Sequence, residues 1–239
     1  MVYLFVRCNA CAAITILLLG GMARAQGFLS VQSQQAMQKK VAVSIVNVRF
    51  TYSPVGLQDP NFMTHEDFMG LVIGLHKVAT TGIALKSPVE SIYAFSLHGK
   101  LLARCTIGLN SKKTGIVVLN CPGLSKKPAR IAKAPVKTGK ALYSVQVVGG
   151  FTTLVRGLYK KKAPASLEGM FFVAGLNQPG MPLFDYKGRA VGLVIRSGIP
   201  FQSRTGVAAE IKRFDEINDS KHKNKGKEPN KKARTNQKK

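Results

Sequence analysis

N177-Q-P-G-M-P-L-F-D-Y-K-G-R-A-V-G-L193 is the stretch whose reading decides the fold. Asp185-Tyr186-Lys187-Gly188 is a four-residue turn, with glycine where the backbone is left-handed. It joins the apolar run Met181–Phe184 to Arg189–Ile195, so the stretch predicts a β-hairpin. Working outward, similar runs recur from Phe68 onward at 68–73, 78–85, 91–97, 101–109, 115–120, 141–148, 151–158 and 170–175. Gly, Pro and Lys punctuate them. Short strands at such spacing indicate an all-β sandwich or barrel. No ten-residue helical pattern alternates with them, which disfavours a doubly wound α/β fold.

The 239 residues suffice for one sizeable core, or for two small barrels sharing one. Charge is the outlier: 36 Lys+Arg against 11 Asp+Glu gives a formal net charge of +25. Such a balance says little about fold. It favours anionic partners through long-range attraction that salt weakens. Zinc-finger spacing, RNP-like aromatic sequence and a helix-turn-helix signal are all missing, so no nucleic-acid motif is present. Two Cys with His65, His76, His98 and His222 show no metal-ligand spacing, and no cofactor is expected.

Residues 1–25 read as a secretory signal: Arg7 carries charge, Ala10–Gly21 is apolar, and Ala23-Arg24-Ala25 is an A-x-A cleavage site. An uncleaved membrane anchor is the alternative, since Val2–Val6 are also apolar. Cys8 and Cys11 would leave with the signal, so the mature chain keeps Cys105 and Cys121. Strands at Leu101–Leu109 and Gly115–Asn120, joined by the turn Asn110–Thr114, form a hairpin centred on Lys113. That hairpin sets Cys105 opposite Cys121. Directly opposed Cβ atoms lie ~4.5–5.5 Å apart in a ladder and ~3.8 Å apart in a disulfide. A modest adjustment would close the bond, as expected for an exported protein; two separate buried thiols are the alternative.

Residues 26–40 are a polar lead-in holding a short helix that ends near Lys39-Lys40. Val41–Phe50 reads as a strand, and residues 53–67 as a loop with Pro54, Gly56, Asp59, Pro60 and Asn61. Residues 122–140 carry five Lys and one Arg among Pro and Gly. Ala208–Asn218 reads as a short closing helix with Ile211, Phe214 and Ile217 on one face. Residues 219–239 are a basic tail expected to be disordered; its last twenty carry nine Lys+Arg and one Glu. Candidate anion-binding residues are Lys126, Lys127 and Arg130, then Lys160, Lys161 and Lys162 at the tip of a hairpin loop, and Lys231 and Lys232 in the tail.

Three segments carry a resemblance to a known family. V78-A-T-T-G-I-A-L85, K113-T-G-I-V-V-L119 and the 177–193 stretch resemble, in order, the surroundings of the catalytic His, Asp and Ser of trypsin-like serine proteases. The nearest branch is the bacterial high-temperature-requirement (Deg-type) one. Its pattern runs roughly V-T-N-x-H-V, T-D-I-A-V-L and G-N-S-G-G-P-L. The resemblance covers about Val41–Phe214 and implies two antiparallel six-stranded β-barrels, at about 41–125 and 138–208, within a domain at 41–218. No peptide-binding PDZ module is expected after it.

The family's His position holds Gly82, its Asp position Gly115 and its Ser position Pro179, or a gap. In the triad, Ser attacks, His takes its proton and Asp orients the imidazole. Glycine offers neither base nor orienter. Proline lacks the hydroxyl and also the backbone N–H that serves as an oxyanion donor. The sequence therefore predicts a protease scaffold without catalytic residues. It would be exported to a periplasm or secreted, binding an unknown protein or an anionic envelope polymer or lipid. Two alternatives stay open. One is an active endopeptidase with a relocated triad, drawing on His76, His98, Ser87, Ser91, Ser144 or Ser197, none of which lies in a G-x-S-x-G elbow. The other is a polyanion-binding envelope protein acting mainly through its tail.

Overall fold

The computed structural model describes residues 29–52, 65–82, 88–111, 114–163, 169–197 and 205–211. The described part opens with a helix, α1 (Val31–Ala42). Ser30 caps it, its hydroxyl accepting from the Ser33 N–H at 3.2 Å. Lys39 and Lys40 occupy the last turn, where cations suit the helix dipole. Met37 and Val41, four residues apart on one face, are buried. That anchor carries the helix two residues beyond the predicted end. The strand expected from Val41 therefore begins only at Ile45.

Twelve strands follow among the described residues, and they close into two barrels. The first contains β1 (Ile45–Tyr52), β2 (His65–Gly74), β3 (Lys77–Thr81), β4 (Val89–Phe95), β5 (Leu101–Ser111) and β6 (Ile116–Asn120). The second contains β7 (Ala141–Val148), β8 (Phe151–Lys162), β9 (Met170–Ala174), β10 (Pro182–Phe184), β11 (Ala190–Ser197) and β12 (Thr205–Glu210). Around the first barrel the order is β1-β2-β3-β6-β5-β4. Around the second it is β7-β8-β9-β12-β11-β10, the same order with antiparallel pairing throughout. Closure leaves no free sheet edge.

Alternation along the strands builds two layers of core. In β6, Val117 and Leu119 point into the first barrel beside Val46, Val48 and Phe50. Ile116 and Val118 point the other way and join Ile45, Met69, Leu71 and Ala79 against the second barrel. Phe171, Leu183, Phe184 and Leu193 complete that shared layer. Burying each Leu, Ile or Phe contributes roughly 1.5–3 kcal/mol, so the barrels are welded by apolar contact. Cys105 and Cys121 are bonded, with Cα atoms 4.2 Å apart, inside the first barrel. They flank the pair Thr106↔Asn120, in the register expected of the hairpin.

Three expectations are corrected. His65–Asp67 belong to β2 rather than to the preceding loop. Tyr159–Lys162 do not tip a loop but extend β8, with Lys161 opposite Phe172 and Lys162 opposite Phe171. Ala208–Glu210 do not start a helix. They lie in β12, paired with β11 on one side and β9 on the other. The rest of that expected helix, the signal segment and the tail lie outside the described residues.

Candidate functional site: the inter-barrel cleft

β3 and β6 are antiparallel neighbours with Thr81 opposite Ile116. The residues at their adjoining ends, Gly82 and Gly115, therefore meet. The Gly82 N–H donates to the Gly115 carbonyl at 3.0 Å. Gly115 has φ 70°, in the left-handed region where glycine carries no Cβ penalty. Thr81 is fully buried. Its hydroxyl donates across the barrel boundary to the Ile195 carbonyl at 3.0 Å, with the Gly115 carbonyl 3.4 Å away.

The third segment arrives from the second barrel. Gln178-Pro179-Gly180-Met181 is a turn closed by the Met181 N–H on the Gln178 carbonyl at 3.1 Å. Proline precedes a glycine at φ 81°, the pattern of a type II turn. The Gly180 N–H donates to the Val194 carbonyl at 2.7 Å. Val194 and Ile195 are adjacent on β11, so one strand receives both Gly180 and Thr81. The turn also abuts β2: a Cβ on Gly180 would stand 2.4 Å from the Met69 oxygen. Thr80 donates to that same oxygen at 2.7 Å. Gly82, Gly115 and the Pro179–Gly180 turn are thus tied to one locus by backbone bonds and by the hydroxyls of Thr80 and Thr81.

A cavity of about 560 Å³ opens beside it. β1, β2 and β4 wall it from the first barrel, and Gln146–Val148 and Gln178 from the second. Arg49 and Asp67, cross-strand partners, form a two-pronged pair at 2.8 and 2.8 Å. Those hydrogen bonds hold the Asp67 carboxyl below its ordinary range. The Arg49 guanidinium also lies 5.4 Å from the centre of the Phe95 ring. The pair is half-exposed, so it shapes the wall more than it stabilises the fold.

Relocated chemistry finds little support in the geometry. His76 sits in the β2–β3 turn, at the opposite end of β3 from Gly82. A five-residue strand separates those ends by roughly 16 Å. His98 lies 3.5 Å from the Thr152 hydroxyl, in the turn before β5. Ser144 is buried in β7. Among the described residues no serine hydroxyl is seen bonded to a histidine, and no cluster of three metal-ligating side chains occurs. Ser87 and the Ser197 side chain lie outside the described part.

The candidate anion-binding residues are dispersed. Lys127 and Arg130 are exposed and Lys126 half-exposed on the connection between barrels. Lys160–Lys162 are exposed along the end of β8, with Lys161 5.9 Å over Phe172. Lys231 and Lys232 lie outside the described residues. No helix among the described residues is long and apolar enough to cross a membrane.

No protein-family model and no curated protein matches the sequence. Solved structures do match. The active form of the Rv3671c protease of M. tuberculosis superposes with a TM-score of 0.60 at 17% identity, over 75% of this chain and 81% of that one. A serine endoprotease from Yersinia pestis gives 0.60 at 13% identity, over 78% and 65%. The HtrA-type protease AlgW with a decapeptide gives 0.61 at 14%, over 80% and 67%. At these identities the likeness shows the fold: two barrels arranged as in trypsin-like serine proteases.

Proposed function

We propose that this chain, built on the trypsin-like two-barrel fold, is an exported protein without catalytic activity that works as a binding or scaffold module for an anionic envelope component or a protein. One observation carries the reading. Of the three positions that the resemblance matches to the family's reacting groups, Gly82 is bonded through its backbone to Gly115, and Pro179 is the third. Those three residues offer no general base, orienting carboxylate or hydroxyl, and the neighbouring Thr81 hydroxyl is committed to the Ile195 carbonyl. The N–H groups of Gly180 and Met181 already serve the carbonyls of Val194 and Gln178, so the turn does not hold them out for a substrate oxyanion. The disulfide and the leader-like residues 1–25 favour export. The net charge of +25 favours an anionic partner.

The test is activity profiling of the mature protein. No cleavage of casein is expected, and no labelling by a serine-directed fluorophosphonate. The combined variant Gly82→His, Gly115→Asp, Pro179→Ser is expected to remain a poor enzyme, because position 115 is left-handed and the turn stays closed on itself. Stoichiometric labelling of the wild type, abolished by replacing one serine with alanine, would establish the rival enzyme reading.

A further inference from the structure

A second groove, of about 820 Å³, shares no lining residue with the inter-barrel cleft and sits at the other end of β7. Its floor is Tyr143 and Arg156, directly paired across β7 and β8. One wall is the connection between the barrels, residues 134–140. That segment is fixed by backbone bonds from Gly139 N–H to the Tyr159 carbonyl at 2.8 Å and from Tyr159 N–H to the Lys140 carbonyl at 3.0 Å. The other wall is the β10–β11 turn, Asp185–Arg189.

Three segments distant in sequence thus bring Lys137, Lys140, Arg156 and Arg189 to one groove. The single acid lining it, Asp185, is internally satisfied. Its carboxylate accepts from the Lys187 and Arg189 N–H groups at 2.9 Å each and pairs with the Arg189 side chain at 2.6 Å. Glu210 lines a small adjoining pocket that shares Ala134 and Pro135 with the groove. Lys137 and Lys140 are exposed. The excess charge is positive. The volume is at the upper end of ligand sites, ~300–1,000 Å³. A lone inorganic anion would leave most of it empty.

We propose that this groove binds a linear anionic polymer, its acidic groups seated at the exposed Lys137 and Lys140, with the exposed Tyr186 packing against the units between. The proposal deepens the anion-binding part of the function proposed above by giving it a site. The shared ligand chemistry is a chain of sulfate, carboxylate or phosphate groups, and two probes separate the sources: heparin and inorganic polyphosphate.

The chain has no tryptophan. Tyr186→Trp in the full mature protein therefore gives a reporter inside the groove. Titration with heparin or polyphosphate at low salt is expected to shift its emission. In that background Lys137→Glu with Lys140→Glu should weaken binding at least about tenfold. It should also flatten the slope of log K against log salt by about 1.5, since each lost contact accounts for roughly 0.7–0.9. Lys100→Glu with Arg104→Glu, both exposed on the first barrel, changes net charge equally outside the groove and should alter affinity less than about threefold, a diffuse effect only. Thermal melts, and the milder Lys137→Gln with Lys140→Gln pair, separate lost contacts from lost folding. Equal losses from both glutamate pairs would overturn the groove in favour of diffuse attraction. Polymer binding with no emission change would also overturn it, leaving anion binding at another place intact. Binding of anionic vesicles but of neither polymer would replace it with a lipid surface. No binding to any of the three probes would remove the groove and the anionic partner together.

Discussion

Gly180 is the residue on which the cleft's geometry turns. Its φ of 81° is left-handed, and an added Cβ would meet the Met69 oxygen at 2.4 Å and the Met69 nitrogen at 2.9 Å. Both are backbone atoms, which cannot swing aside. Gly99 has nearly the same φ, 83°, with nothing within 4 Å. The two sites separate conformational from steric cost. Gly99→Ala is expected to cost about 1–2 kcal/mol, the left-handed penalty. Gly180→Ala adds overpacking of about 1–3 kcal/mol. Urea-unfolding midpoints of the two variants check this, and equal losses would show that the turn moves freely away from β2. In the 177–193 stretch the sequence predicts a turn only at Asp185–Gly188, not at Pro179-Gly180. It could not announce Met69 as the neighbour, which lies more than a hundred residues earlier.

At the scale of elements, the Cys105–Cys121 bridge closes the β5–β6 hairpin with a sequence separation of 16. The chain-entropy view gives about 3 kcal/mol for a loop near that length. Non-reduced protein from an oxidising compartment should lack titratable thiol and weigh two hydrogens less than the reduced form. Cys105→Ala with Cys121→Ala should lower stability by about that amount. Two alkylatable thiols in native material would defeat the expectation. This hairpin was legible because its turn is polar and its partners are close in sequence. Other strands were less so. Val41 and Ala42 belong to a β-branched run, yet the pairing of Met37 with Val41 on a buried face holds them helical. Val207, Ala208 and Ala209 are all buried, so β12 lacks the two-residue alternation that marks a half-exposed strand. Lys160–Lys162 look like a loop by charge, but their aliphatic stems can lie along the sheet while the ammonium groups reach water. The cleft was located by three short segments in the right order. Its closure by Thr81 on Ile195, 114 residues away, was not readable. The groove was missed for a related reason: Arg156 and Arg189 are unremarkable until the fold sets them beside Lys137 and Lys140.

At the scale of the molecule, charge and core are separable. Deleting Ser220–Lys239 removes nine positive and one negative side chains, a loss of 8 from +25. A segment with almost no apolar residues contributes no core. The truncated protein should therefore melt within about a degree of the full chain while binding heparin more weakly at low salt. The difference should close as the Debye length shrinks from ~30 Å at 0.01 M to ~8 Å at 0.15 M. A large drop in melting temperature would mean that the tail packs on the barrels. The helix at the other end poses a problem of time rather than of energy. α1 leads straight into the first barrel but docks on the second, where Gln38 reaches the Thr152 carbonyl and Lys40 the Lys187 carbonyl. Those partners lie 114 and 147 residues downstream. Whatever emerges first from a ribosome or a translocation pore, α1 has no resting place until β8 and the β10–β11 turn exist. An early-made element is thus among the last that can settle, and until then its buried face is open to whatever stands at the exit.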